Sequence, residues 1–105
     1  MNKDIVMCYG IAANCDIAKE EAADLIRAIS QWERAAIAWH YETDTTPEDA
    51  RDDLIQALAD CQNAMDSLAY KIGINKSAIR QKIKEADERT EQLYGRRYEL
   101  EKRIR

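Results

Sequence analysis

Residues 20–30 read Glu20-Glu21-Ala22-Ala23-Asp24-Leu25-Ile26-Arg27-Ala28-Ile29-Ser30, and this stretch decides the fold. It lies inside a longer run, 12–38, in which Cys15, Ala18, Ala22, Leu25, Ile29, Trp32 and Ala36 recur at steps of three and four. That spacing is the period of a helix with one apolar stripe. Glu20, Glu21 and Asp24 fall within one turn beside the stripe, with Glu21 and Asp24 at i, i+3, where Cβ atoms lie about 5–6 Å apart. Like charges that close repel, so such a face is either solvated or shared by a cation. A second, thinner acidic face surrounds Asp60.

Outward from this run, the first clear break is His40-Tyr41-Glu42-Thr43-Asp44-Thr45-Thr46-Pro47. Thr46-Pro47-Glu48-Asp49 is a helix start: a threonine N-cap, proline at the first helical position and acids in the first turn, where the helix dipole favours them. The helix it opens carries Leu54, Ala57, Leu58, Cys61, Ala64, Met65, Leu68 and Ile72 and is predicted to span 47–72, ending at Gly73. Asn75 or Ser77 caps a last helix. Its Ile79, Ile83, Ala86, Thr90, Leu93, Arg97, Leu100 and Ile104 alternate steps of four and three, a heptad seam with two polar interruptions. The seam packs on its own domain or meets a partner subunit, and Gly95 is expected to end or bend the helix. Residues 2–8 form a short helix or an extended arm that stops at Tyr9-Gly10.

Composition agrees with long helices and few turns. The 105 residues include no phenylalanine, one proline and three glycines, and 46% are hydrophobic. A chain of this size makes one domain, burying roughly 60–70% of the surface its unfolded form exposes. The expected architecture is all-α, with 9–74 as its core and 75–105 as the C-terminal helix.

Charge is unevenly divided. Residues 1–75 hold six Lys/Arg against fourteen Asp/Glu, a balance of −8, and residues 76–105 hold ten against six, a balance of +4. The acidic body argues against a nucleic-acid binder, whose footprint is a basic surface; the basic tail keeps a weaker form of that reading open. Cys8, Cys15 and Cys61 are odd in number and lack Cys-x-x-Cys spacing, so reduced, buried thiols are expected. Residues 1–10 lack the apolar core of a secretory leader, and no window approaches the roughly 20 apolar residues of a membrane span. The expectation is a soluble, cytoplasmic protein.

Tyr9-Gly10-Ile11-Ala12-Ala13-Asn14, followed by the acidic stretch 20–30, resembles the first helix of MazG-like nucleotide pyrophosphohydrolases. Those proteins show Gly-Ile, a Gln four positions after the Gly, Glu-Glu-x-x-Glu-Leu, and an Ala-Ile-Ser-Lys-like run ending near an Arg. Asn14 stands for the Gln, Asp24 for the last Glu, Gln31 for the Lys and Arg34 for the Arg. Gln56-Ala57-Leu58-Ala59-Asp60-Cys61, then Leu68 and Ile72-Gly73-Ile74, is similar to the family's second element, Glu-Glu-Leu-Ala-Asp-Val with a closing Gly-Ile. The resemblance covers about 9–74. It implies an antiparallel helical core, completed by forming a homodimer or homotetramer, with Mg²⁺ held between two helices and a nucleotide as substrate. At the place of the family's second-helix Glu-x-x-Asp, however, stands Ala57-Leu58-Ala59-Asp60, and alanine binds no cation. Asp53 and Asp52 are the nearest substitutes. Asp49-Ala50-Arg51-Asp52 is a competing register, but only the Asp60 register also aligns Leu68 and Gly73.

The activity so implied is Mg²⁺-dependent cleavage of a (d)NTP to (d)NMP and pyrophosphate. Mg²⁺ takes oxygen ligands at about 2.0–2.1 Å, usually one or two carboxylates with waters and phosphates, and neutralises phosphoryl oxygens while activating water. In this reading Glu21, Asp24 and Asp60 hold metal with Asp53 in reserve. Glu20 ligates a second ion or orients the attacking water, which makes Glu20 and Glu21 the catalytic candidates. Lys71, with Lys76, Arg80 and Lys82, and Arg34 can meet phosphates. Trp32 and Trp39, near His40 and Tyr41, can stack a base or simply pack. A histidine dyad on His40 has no Cys or Ser partner in a recognisable pattern. The rival readings are a nucleotide-binding or regulatory protein that has lost catalysis at Ala57, and a helical assembly protein that works through residues 79–104.

Overall fold

The structure is a computed structural model that describes residues 1–37 and 44–104. The predicted helix end at 38, and Trp39, His40 and Tyr41, lie outside the described residues. Four α-helices follow in order: α1 Lys3–Cys8, α2 Ile11–Ala36, α3 Pro47–Ile72 and α4 Lys76–Ile104. No strand is present among the described residues, which are all-helical apart from their caps and turns.

The helix ends are set by local chemistry. Asn2 Oδ1 accepts from the backbone N–H of Asp4 (3.1 Å) and of Ile5 (3.2 Å), so residues 3–8 form a capped helix rather than an extended arm. Gly10 caps α2 with extended backbone and no side chain, and the Nδ2 of buried Asn14 donates to its carbonyl at 3.0 Å. Thr46 Oγ1 accepts from the Asp49 N–H at 3.1 Å, with Pro47 opening α3. Gly73 closes it at φ 84°, its N–H donating to the carbonyls of Ala69 and Tyr70. Of the two candidate caps for α4, Asn75 is the one used: its Oδ1 accepts from both the backbone N–H and the hydroxyl of Ser77, each at 2.9 Å. Gly95 does not end the helix. α4 continues through it to Ile104, since one glycine costs only about 1 kcal/mol against a helix of this length.

The backbone divides into two compact units, Met1–Gly73 and Ile74–Arg105. In the first, α2 and α3 pack along their length as an antiparallel pair. Gln31 near the end of α2 bonds Thr45 before the start of α3 (3.0 Å), while Lys71 at the end of α3 reaches the carbonyl of Met7 (3.3 Å). The interior is built of small side chains: Ala18 and Ala28 of α2, Ala50, Ala57, Cys61 and Ala64 of α3, with Val6 of α1 and Asn14. Small residues at a helix contact permit a close approach of the axes. No large side chain is fully buried among the described residues.

Only one edge of the apolar stripe of α2 meets α3, the edge that carries Ala18. Ala28 is buried, whereas Ile29, about 100° further round the helix, is 41% exposed, and Ala22, Leu25 and Trp32 are half-buried. Leu58 stands in the same relation to Ala57 on α3 and is 41% exposed. The pair therefore has an apolar back face. The thiols differ from the expectation of uniform burial: all three are free, but Cys8 is exposed, Cys15 half-buried and only Cys61 buried. Cys8 is the last residue of α1 and lies on its exposed side. The second unit is α4 with its leading turn, Ile74 to Asn75, and most of its side chains are exposed.

Candidate functional site

Opposite the apolar face, the front of the α2–α3 pair carries the acids. A groove of about 380 Å³ is lined by Glu21, Asp24, Arg27 and Gln31 of α2 and by Asp53, Gln56 and Asp60 of α3, with Ala28 and Ala57 between them. Helical periodicity explains the selection. Glu21, Asp24, Ala28 and Gln31 follow at steps of three and four, as do Asp53, Ala57 and Asp60. Each set is one stripe, and packing two antiparallel helices through Ala28 and Ala57 sets the stripes side by side.

Charge within the groove is partly balanced by the groove itself. The Arg27 guanidinium pairs with Asp24 one turn earlier, and both side chains remain largely exposed. Gln56 Nε2 donates to Asp60 Oδ1 at 2.9 Å, holding that carboxylate from the preceding turn. Glu21 is half-buried, while Asp24, Asp53 and Asp60 are exposed. A neighbouring hollow of about 310 Å³ continues along the same front toward α1, bounded by Ile5, Val6, Tyr9, Asn14, Ile17, Asn63, Ala64 and Ser67. Glu21 and Asp60 line both openings.

Of the residues singled out in the sequence, the fold brings Glu21, Asp24, Asp53 and Asp60 into this one groove. Ala57 faces it too, so the position that lacks the expected carboxylate does lie among the acids. Glu20 is exposed and is not a lining residue, because it precedes Glu21 by about 100° of helix rotation. Arg34 is exposed and Trp32 half-buried, and neither lines the groove. Lys71 is held at the far end of α3 by the Met7 carbonyl. Gln31, Gln56 and Arg27 line the groove without having been expected to. Their signal was available: Gln31 is i+7 from Asp24, Gln56 is i−4 from Asp60, and Arg27 is i+3 from Asp24.

The donors suit a hard cation. Every acidic group here is an oxygen ligand, and among the described residues neither His nor Cys lines the groove. Among the described residues no three His, Cys, Asp or Glu side chains stand close enough together to form a ready ligand set. The carboxylates share a groove without converging. Compared with known proteins, the chain matches no family model, no curated protein and no solved structure.

Proposed function

We propose that this chain is a Mg²⁺-dependent nucleotide pyrophosphohydrolase of MazG-like type, cleaving a (d)NTP to a (d)NMP and pyrophosphate. The observation that carries the reading is the shared groove: Glu21 and Asp24 from α2 and Asp53 and Asp60 from α3 line one depression, although only tertiary packing can bring them together. Glu21, Asp24 and Asp60 would hold the ion. Mg²⁺ supplies charge neutralisation at the phosphoryl oxygens and a bound water of lowered pKa.

The remaining chemistry falls to the chain's own side chains. Arg27 pairs with Asp24 at the groove; with Asp24 engaged by an ion, the guanidinium would be available to phosphates, which it can bind in bidentate fashion. Gln56 keeps Asp60 aimed from below. Two copies, as a dimer or in a tetramer, would cover the apolar back face at Ile29 and Leu58. The three free thiols suit a reducing cytoplasm.

A second reading rests on Ala57, whose methyl lies among the acids where a ligand would complete the site. In it the groove binds Mg²⁺ and nucleotide without turnover. The experiment is a (d)NTP panel assayed for pyrophosphate release with Mg²⁺. Turnover abolished by Asp24→Asn and by Asp60→Asn supports the enzyme. No turnover, with a nucleotide that raises the melting temperature only when Mg²⁺ is present, leaves the binding protein. Failure of both rejects the two readings together.

A further inference from the structure

The heptad positions of α4 carry a second pattern, independent of the acidic groove. With Ile83, Thr90, Arg97 and Ile104 at a and Ile79, Ala86, Leu93 and Leu100 at d, the g positions are Lys82, Arg89, Arg96 and Arg103. All four are cations. The e positions that follow d are Arg80, Asp87, Tyr94 and Glu101. We propose that α4 pairs with α4 of a second copy as a parallel, in-register, two-stranded coiled coil.

Three features point to that occupant and that direction. The seam is bare: Ile79 is 38% exposed, Ile83 55%, Leu93 68% and Leu100 60%. It runs for more than three heptads, the length at which such a pattern becomes informative. Core residue types match two parallel strands, which favour β-branched side chains at a and leucine at d. Ile83, Thr90 and Ile104 occupy a, and Leu93 and Leu100 occupy d. The Thr90 hydroxyl already donates to the Ala86 carbonyl at 2.9 Å, so it brings no unpaired donor into the seam. Arg97 at a costs stability and disfavours shifted registers, which would set it against apolar residues.

Charge decides the orientation. In a parallel pair each g residue faces the e residue five positions later on the other strand. Lys82 then meets Asp87 of the second copy, Arg96 meets its Glu101, and Arg89 meets its Tyr94 in a cation–π contact. No like charges face each other among these g–e pairs; the one like-charge contact of the parallel pair is Arg97 against its copy at a, where the long side chains can turn their guanidinium groups out to solvent. In an antiparallel pair g faces g, and Lys82, Arg89, Arg96 and Arg103 of one copy would confront the same four of the other. Lys82 is bonded to Glu85 of its own helix at 3.3 Å and is 82% exposed, an ion pair weak enough to exchange. Gly95 falls at f, furthest from the partner strand, where the missing side chain removes no packing.

The test uses the full chain. Leu100→Cys, oxidised under mild conditions, is expected to give a covalent dimer whose peptide map joins the two introduced thiols; the wild-type chain accounts for any product of Cys8. Reversing the g charges with Lys82→Glu and Arg96→Glu together is expected to weaken association about tenfold or more in sedimentation. Adding Asp87→Lys and Glu101→Lys to that variant restores it. The exposed positions leave the helical circular dichroism unchanged. The proposal is overturned by a chain that stays monomeric at high micromolar concentration, by an oligomer in which position 100 does not cross-link to itself, or by a double g reversal that tightens association, which is the antiparallel result.

Discussion

Asp53 and Asp60 stand on the same side of α3, and buried Ala57 lies between them on the wall of the groove. A glutamate at 57 would therefore project among Glu21, Asp24 and Asp60. Ala57→Glu is expected to tighten Mg²⁺ binding at least tenfold by calorimetry. Its side chain must also leave a tightly packed helix contact, at a cost of about 1–3 kcal/mol. The metal-free variant should melt below the wild type and recover when Mg²⁺ is added.

Removing a carboxylate should act by position in the groove rather than by charge. Asp24→Asn and Asp60→Asn are each expected to weaken Mg²⁺ binding about tenfold or more, in line with loss of an oxygen ligand. Glu20→Gln removes the same charge from the adjacent, solvated side of α2 and should change the affinity less than twofold. Equal effects from all three would show that the ion responds only to net charge.

The apolar back face makes a separate prediction. Ile29 and Leu58 are each 41% exposed on it, and covering such side chains contributes about 25 cal/mol per Å² removed from water. Ile29→Asp and Leu58→Asp should lower the mass of the assembly in sedimentation while leaving the Leu100→Cys cross-link intact. Neither should reduce helix content, because neither side chain is buried within one copy.

Gly73 and Thr46 bracket α3 through backbone geometry. At φ 84° nothing lies within 4 Å of an added Cβ at Gly73, so Gly73→Ala is opposed by the left-handed backbone alone, about 1–2 kcal/mol. Gly73→Asn should cost less, since asparagine tolerates that region. Thr46→Ala removes the acceptor for the Asp49 N–H and should cost about 1 kcal/mol. Chemical denaturation of the three variants checks both values, and Gly73→Asn falling below Gly73→Ala would refute the backbone explanation.

Much of this was legible in the chain itself. Thr46-Pro47 and Ile72-Gly73 mark the ends of α3 as they stand, because caps and turns are decided within four residues. Asp60 and the acids of α2 could likewise be read as stripes of single helices. The residues 2–8 were ambiguous, since a helix of six residues is set by its cap at Asn2 and by Val6 entering the core. Periodicity alone does not reveal such a cap.

The sequence by itself determined the existence of the three long helices, both limits of α3 and the heptad and charge pattern of α4, all of which depend on neighbours in the chain. Only the tertiary structure decided which side of α2 meets α3. The contact runs through Asn14, Ala18 and Ala28, with Leu25 and Trp32 half-buried beside it and Ile29 turned outward, because small side chains on the contact line let two helices approach. That rotation places Glu21, Asp24, Asp53 and Asp60 in one groove, leaves Glu20 outside it, and puts Ala57 among the acids.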